Sequence, residues 1–367
     1  MEGFRKAFGR LPDPRAENAR HDLLEVLFIA LAAMLCGAES CSDMADFGQS
    51  KEELLRLFLR LEHGIPSHDT FSRVFRLLKP PAFENAFRRF MAAFAEANGL
   101  KLTGVVAVDG KALRGAYERG GKATPLQLVN VFVVDARMAL AQQKAPGRNE
   151  TAGALEVLEL LSLEGCIVTA DALHCHRAFA GAVLARGGNY VLAIKANRGR
   201  LFTAVTQQFA RSGKRRVAEH VDPSSHDRHE ARRVTIMRNT SLAAHYGFPG
   251  VVAVGRITSR RRLRGQRADA PVVRHYLLSK YVSPKRLLHI TRSHWGIENR
   301  LHWVLDVHFT EDGNRARKDN APENLATMRR LALNILRAHP DRASIRRKIK
   351  RAGWDDAFLL AILSHMR

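Results

Sequence analysis

Three short apolar runs, separated by helical patterns, constrain the fold of this chain more than any other feature. They are GVVAVDG at 104–110, CIVTADA at 166–172 and NYVLAIKAN at 189–197. Unbroken apolar runs of this length are typical of strands that are buried on both faces of a sheet. Amphipathic helical patterns lie between and after them. This alternation predicts an α/β fold, with helices packed on the faces of a mixed sheet.

A further segment, LQLVNVFVVDARMALAQQK at 126–144, follows the first run and reads as two strands. The polar residues Asp135–Arg137 interrupt it, which predicts a hairpin with its turn at that point. The order of elements is then strand, strand, strand, helix, strand, helix, strand, helix. Only helical patterns precede it, so residues 1–100 are predicted to form an all-helical N-terminal domain.

The α/β pattern is interrupted at about 213–280 by four β-like stretches that are rich in arginine. We interpret them as a basic β-rich insertion within an α/β domain that spans 101–312. Residues 313–367 contain two amphipathic basic patterns, which predict C-terminal helices.

Positive charge is concentrated in the second half of the chain. The formal net charge is +23 over 367 residues. Residues 198–286 hold 20 Lys and Arg against 5 Asp and Glu, and residues 313–367 hold 13 against 5. Such a field attracts polyanions, and nucleic acid is the partner we expect. The alternatives are a basic protein without a polyanionic partner and a protein that binds anionic lipid.

The apolar and cysteine patterns favour a reducing, cytoplasmic location. The longest apolar run, Val26 to Ala38, is about 13 residues long, too short to span a membrane. Four cysteines do not form a disulfide framework in a chain of this length. Met1 is not followed by a signal-peptide pattern. We therefore expect no membrane partner.

Two aspartates stand at comparable places, because Asp109 and Asp171 each end an apolar run. Strand ends in an open α/β sheet are where sites form, and a buried acid there needs a cation or a cleft. Together with the helical Glu298, they offer three hard oxygen ligands, which suit Mg²⁺ or Mn²⁺. A pair of such ions supports phosphodiester chemistry, so we expect two ions.

The segment 292–312, RSHWGIENRLHWVLDVHFTED, predicts an amphipathic helix that carries the third acid. Residues four apart share a helix face, so His294, Glu298 and His302 are expected to lie together. That face could also hold zinc or manganese, although we favour contacts to DNA phosphate for the histidines. Rival third acids are Asp306, Glu311 and Asp312. In a straight helix Asp306 would lie about 12 Å from Glu298, so the two cannot share one metal site.

Several of these motifs carry a family resemblance. They are AVDGKALRG, IVTADALHC, NYVLAIKAN and HWGIENRLHWVLDVHFTED, with GIPSHDTFSRVF near the N-terminus and ENLATMRRLALNIL near the C-terminus. Together they resemble insertion-sequence DDE transposases of the H-repeat-associated type over nearly the whole chain. The resemblance implies an RNase H-like catalytic core whose β insertion precedes the Glu-bearing helix. It also implies that Asp109, Asp171 and Glu298 are the catalytic, metal-binding triad.

The chain departs from the wider superfamily at two positions. Relatives often place arginine four residues before the helical Glu, where this chain has His294. Ala116 stands where relatives commonly have a small hydroxyl residue. The residue that contacts the scissile phosphate is therefore open among Arg292, His294, Arg300 and His302.

Other candidates for DNA contact follow from position. They are Lys111 and Arg114 after the first acid, Lys195 and Asn197 after the third buried strand, and Trp295. Core packing is the favoured interpretation for Trp295 and Trp303, with stacking on a base at the DNA end as the alternative, better suited to Trp295. Asn149 and Glu150, ahead of the first helix of the α/β region, are expected to be helix-cap residues.

The function expected from these observations is metal-dependent cleavage of DNA at the ends of an insertion sequence, followed by strand transfer into target DNA. The partners are the terminal inverted repeats and the target, with a homodimer in the synaptic complex. Residues 1–100 are hypothesised to help recognise the DNA ends, and the protein is expected in the bacterial cytoplasm, at the nucleoid when bound to DNA. A nuclease on the same fold and a non-catalytic DNA-binding descendant of a transposase are the alternatives.

Overall fold

Nine strands and fifteen helices are present in the computed structural model, which describes residues 2–117, 125–211, 215–222, 228–263 and 269–366. The strands are β1 (Gly104–Tyr117), β2 (Pro125–Val133), β3 (Met138–Lys144), β4 (Cys166–Ala170), β5 (Asn189–Ile194), β6 (Arg216–Val221), β7 (Arg228–Arg238), β8 (Ala253–Leu263) and β9 (Val272–Leu278). The helices are α1 (Glu2–Phe8), α2 (Leu23–Leu35), α3 (Cys41–Ser50), α4 (Glu52–Leu55), α5 (His68–Leu77), α6 (Pro80–Ala97), α7 (Glu150–Glu159), α8 (Arg177–Ala185), α9 (Gly199–Ala210), α10 (Ser241–Tyr246), α11 (Pro284–Ile297), α12 (Trp303–Phe309), α13 (Ala321–Ala338), α14 (Ile345–Trp354) and α15 (Asp356–Ser364).

Five strands form the first half of the sheet in the order β3-β2-β1-β4-β5. β1, β2 and β3 are an antiparallel meander, and the turn between β2 and β3 places Arg137 at a positive φ of 56°. β4 and β5 run parallel to β1 on its other side. Parallel neighbours require crossover connections, which α7 and α8 supply. The predicted hairpin and the predicted mixed sheet are both confirmed.

The two faces of β1 belong to different cores, because side chains alternate along a strand. Val106 and Val108 are fully buried in the core that α7, α8 and α9 cover. Val105 and Ala107 are equally buried in the core on the opposite face, which includes Ile290 of α11. Odd-numbered residues of β1, Asp109 among them, therefore face α11 and α12.

The predicted β-rich insertion is confirmed, and its position in the fold is now defined. Its last strand, β9, pairs antiparallel with β5, from Val191 opposite Leu278 to Ile194 opposite His275. β8, β7 and β6 continue outward in that order, so the insertion extends the central sheet instead of folding apart from it. The short helix α10 between β7 and β8 was not predicted.

The predicted continuous helix over 292–312 needs correction. α11 ends at Ile297, a π-helical turn spans Glu298–His302, and α12 runs only to Phe309. Thr310 then takes a left-handed conformation with φ 50°, which ends the helix. Wider turns of this kind occur as single insertions in α-helices and are frequent at functional sites.

The helical N-terminus and the C-terminal helices are also confirmed. In α2 the Asp22 side chain accepts the Glu25 N–H, and nearly every residue of the helix is buried. α13 packs against α2, α5, α6 and β3, so the N-terminal helices and the sheet share a core. The division at 100 and 312 into separate domains stays a prediction. No helix in the described ranges combines the length and the apolar character needed to cross a membrane.

Candidate active site

Asp109 lies where β1 outruns its parallel neighbour. Pairing of β1 with β4 stops at Val108 opposite Ala170, whereas pairing with β2 continues through Asp109 opposite Asn130. The side chain of Asp109 is 18% exposed, so it reaches a cleft without leaving the edge of the core. The expected strand end is thus only the end of the parallel pairing, because β1 itself continues to Tyr117.

Asp171 follows the last residue of β4 directly. Its carboxylate accepts the Leu173 N–H at 2.8 Å and caps a short 3₁₀ turn, Ala172–His174. This contact fixes the side chain at the same sheet edge as Asp109. The expectation that two strand-borne acids meet at one edge therefore matches their positions.

Glu298 is the first residue of the π-helical turn and is brought to Asp109 by it. Among the described residues, Asp109, Glu298 and His302 form a group whose potential ligand atoms all lie within 4.8 Å of one another. Nδ1 of His302 is 3.5 Å from Oε2 of Glu298 and 3.9 Å from Oδ2 of Asp109. Glu298 is 54% exposed and His302 only 5%, so the histidine supports the acid from within the fold.

The carboxylates lie close enough together that ionisation of one makes ionisation of its neighbours less favourable. Burial raises the pKa of Asp109 to about 8, and the nearby carboxylates of Glu298, Glu150 and Asp171 add to the rise. The pKa of Glu298 is lowered, first by its hydrogen bond with the His302 ring. The first proton that the pair takes up therefore resides on Asp109, the more buried of the two. A divalent cation would relieve the same repulsion.

The three acids line one pocket of about 270 Å³. Thr169, Lys195, His294 and Trp295 line it too, as do Arg274, Tyr276 and Thr291. We call this the acid pocket. Asp306 does not line it, so of the rival third acids weighed on the helix only Glu298 shares a pocket with Asp109 and Asp171 in the described part of the chain.

Glu150, interpreted from the sequence as a helix-cap residue together with Asn149, is a neighbour of Asp109 in the site, and this role was not predicted. A Cβ at Gly110 would lie 2.3 Å from the Glu150 carboxyl carbon, so the glycine admits this side chain beside Asp109. Oε1 of Glu150 is 3.0 Å from Nε2 of the fully buried His174. The predicted cap is confirmed, because Asn149 accepts the Ala152 N–H. The sequence signal that could have revealed this contact is the acidic first residue of α7, the helix that precedes β4.

Lys111, predicted to contact DNA phosphate, forms an ion pair with Asp306 in the structure. Its ammonium donates to both carboxylate oxygens of Asp306 at 2.7 Å, and the side chain is 6% exposed. It lies on β1 and not in a loop. Arg114, three residues further, is 81% exposed and lies 3.5 Å from Asp312. Both contacts tie β1 to the chain around α12, and DNA contact by either residue stays a prediction.

Lys195 and His294, two of the predicted DNA-contacting residues, line the acid pocket, whereas Asn197 and Arg292 do not. Lys195 is exposed and lines the pocket, and the Asn197 amide donates to the Ala172 carbonyl at 2.9 Å. Nδ1 of His294 is 3.2 Å from the Thr169 hydroxyl. Burial lowers the pKa of His294, so its ring is neutral near pH 7. Arg292 instead binds the Asp222 carboxylate.

The prediction that Trp295 and Trp303 pack in the core is wrong. Trp295 is 58% exposed and Trp303 is 55% exposed. Trp295 lines the acid pocket, whereas Trp303 contacts the ring of His308. Arg300 is exposed on the π-helical turn. Its position in the acid pocket makes Trp295 the stronger candidate for a ligand contact.

The chain is similar to known proteins over nearly its whole length. The family described as "Transposase DDE domain" matches residues 101–335, and one described as "DDE_Tnp_1-associated" matches residues 5–91. "Putative transposase YncI" of Escherichia coli O157:H7 is 30% identical over 96% of this chain and 92% of its own length. "H repeat-associated putative transposase YhhI" of Escherichia coli K12 is 29% identical over 96% of both. A cryo-EM structure of a piggyBac transposase synaptic complex with hairpin DNA aligns over 100% of this chain and 77% of that chain, with a TM-score of 0.46 and 12% identity.

Proposed function

Because the chain belongs to the DDE transposases of insertion sequences, of the H-repeat-associated type, we propose that it cuts DNA at the ends of its own element and joins the freed 3′ ends to target DNA. The observation that carries this proposal is the convergence of Asp109, Asp171 and Glu298 on the acid pocket. These acids come from two strands and one helix, and they are separated by 62 and 127 residues in sequence.

The donor set of the acid pocket fits Mg²⁺ or Mn²⁺. All three acids offer carboxylate oxygens, which these ions prefer. Burial and the neighbouring carboxylates raise the pKa of Asp109, and a dication would neutralise the repulsion among those carboxylates. We propose that Asp109, Asp171 and Glu298 hold two such ions. When bound, the ions would supply Lewis acidity for phosphodiester cleavage and transfer.

The chain's own side chains would position DNA at this site. Lys195 and Trp295 line the pocket beside the acids, and Arg300 lies on the same π-helical turn as Glu298. A cation at Lys195 suits the phosphate next to the scissile bond, and the exposed face of Trp295 suits a base. His294 would provide no positive charge at the phosphate, because burial lowers its pKa.

The assembly and location follow from the reaction. Transposition brings two element ends together, so we propose a homodimer in the synaptic complex. The substrates are the terminal inverted repeats and the target DNA, and the protein would work at the bacterial nucleoid. The net charge of +23 supports this choice of partner.

The test is incubation of the purified protein with duplexes that carry its own element ends, with Mg²⁺ and a target plasmid. Nicked ends and joined products are expected from the wild type, and neither from Asp109→Asn, Asp171→Asn or Glu298→Gln. Asp356→Asn is the matched control, since Asp356 pairs with Lys51 on the surface. Nicking without joining would identify a nuclease, and binding without nicking would identify a non-catalytic descendant.

A further inference from the structure

A second cavity adjoins the acid pocket. It is a groove of about 580 Å³ between α11 and the insertion strands. Arg274, Tyr276, Thr291 and Trp295 line both cavities, so one leads into the other. Two further arginines, Arg232 of β7 and Arg292 of α11, line the groove but not the acid pocket.

The arginines share the groove because of the sheet register. Arg232 lies opposite Ser259, and Arg274 lies opposite Ile257, on neighbouring strands. Residues directly opposite one another project to the same face, which here is the face toward α11. Burial lowers the pKa of Arg232, and the charges of Arg292 and Arg274 lower it further. The guanidinium group of Arg232 is thus close enough to those of Arg292 and Arg274 to be repelled by both.

An acid of the chain binds two of these arginines. The carboxylate of Asp222, at the end of β6, contacts Arg232 through one oxygen and Arg292 through the other. Its backbone N–H donates to the Glu230 carbonyl at 2.9 Å, which anchors the residue to β7. Glu230 also pairs with Arg232 at 2.6 Å. Two oxygens held between two guanidinium groups match the way arginine binds a phosphate.

We propose that Arg232, Arg274 and Arg292 form a phosphate subsite for the DNA strand that leaves the acid pocket, and that Asp222 occupies this subsite until DNA displaces it. This inference rests on the proposed function, because it takes DNA as the ligand. It adds two binding residues from the insertion, Arg232 and Arg274, and an internal competitor. Asp222 would lower the affinity of the protein for DNA that lacks further contacts.

The first test compares the affinity of full-length variants for an element-end duplex in EDTA, so that no cleavage occurs. Asp222→Asn is expected to tighten binding about fivefold, the equivalent of about 1 kcal/mol for a partly exposed charge pair. Glu219→Gln is the matched control, because Glu219 lies on the same strand, is 72% exposed and stands 3.8 Å from Arg233. It should change affinity far less. In a background of Arg232→Gln and Arg292→Gln, Asp222→Asn should no longer tighten binding.

A second variant does not disturb the Asp222 ion pairs. Arg274→Gln should weaken binding and reduce the slope of log affinity against log salt by about one. Arg260→Gln on β8 is its control, because Arg260 follows Ser259 and so faces away from the groove. Removal of one remote surface charge should have the smaller effect.

The outcomes separate three failures. If Asp222→Asn leaves affinity unchanged or weaker, Asp222 is a structural ion pair between β6 and α11, and the competitor is disproved. If Arg274→Gln behaves as Arg260→Gln does, the subsite is disproved, although DNA binding stands. If neither the wild type nor any variant binds the element-end duplex, the proposed function itself fails.

Discussion

At the scale of single residues, the protonation of the site depends on the close approach of acids that lie far apart in the sequence. Asp109 is buried beside Glu298, Glu150 and Asp171, and its pKa is raised for that reason. Lys111, the nearest predicted cation, is instead paired with Asp306. The acids are therefore left with a field that favours a proton or a dication.

Metal binding should depend on pH through Asp109. Its raised pKa, about 8, means that a proton competes with the ion below that value. Affinity for Mn²⁺ without DNA should rise with pH and level off near pH 8, falling roughly tenfold per pH unit below it. Titration of Mn²⁺ by electron paramagnetic resonance between pH 6 and 8.5 measures this. A plateau already at pH 6 would contradict the prediction, and Asp109→Asn should abolish the dependence.

Glu150→Gln should shift that pH dependence to lower pH. The substitution removes one of the carboxylates that raise the pKa of Asp109, while an amide can still bond His174. Glu156→Gln is the control, because the exposed Glu156 lies on the same helix and bonds Gln143. The same Mn²⁺ titration compares the two variants. Equal midpoints would mean that Glu150 does not act on Asp109.

At the scale of elements, the π-helical turn and the close approach of α11 to the sheet place Glu298. Gly296 is the last residue but one of α11, and a Cβ there would lie 3.0 Å from Cγ1 of Val134. Buried Ile297 and Leu301 flank the acid and hold the helix against the core. A helix that packs this tightly leaves the carboxylate little freedom.

Gly296→Val should therefore move α11 away from the sheet. The added side chain overpacks the contact with Val134, which costs about 1–3 kcal/mol. The unfolding midpoint in urea and the cleavage rate should both fall. Gly181→Val on α8 is the control, because a Cβ there meets no atom closer than 4.0 Å. Equal losses of stability and cleavage rate in the two variants would mean that the effect comes from helix propensity and not from the contact with Val134.

At the scale of the whole molecule, a buried polar network connects the helical layer to the site. Arg330 of α13 is fully buried, bonds Glu311 at 2.7 Å and donates to the Asn130 amide oxygen at 2.7 Å. Asn130 is the cross-strand neighbour of Asp109. The network thus links α13, the segment after α12 and the strand beside the catalytic candidate.

Arg330→Met should destabilise the protein by about 3–5 kcal/mol, because it leaves the carboxylate of Glu311 buried and unpaired. Arg347→Met on the exposed face of α14 is the control and should change stability little. Urea unfolding measures both. Adding Glu311→Leu to Arg330→Met should recover part of the loss, and an unchanged midpoint for Arg330→Met alone would contradict the assigned role of the pair.

The sequence by itself determined the elements and the acids. Buried strands, helices, the basic insertion and the strand-end positions of Asp109 and Asp171 follow from periodicity and composition, which record the local pattern of burial. The choice of Glu298 as the third acid rested on its His and Trp setting and on the resemblance of its motif to the transposase family. The structure brings those three acids to one pocket, as the sequence predicted.

Only the tertiary structure decided which side chains meet. It replaced the straight helix with a π-helical turn, exposed Trp295, paired Lys111 with Asp306, and brought Glu150 over Gly110. It also joined the insertion to β5 and placed Asp222 on Arg292. Each of these contacts joins distant parts of the chain or depends on how a helix packs on the sheet. Local periodicity carries no information on such packing, because the same pattern of burial is compatible with several partners.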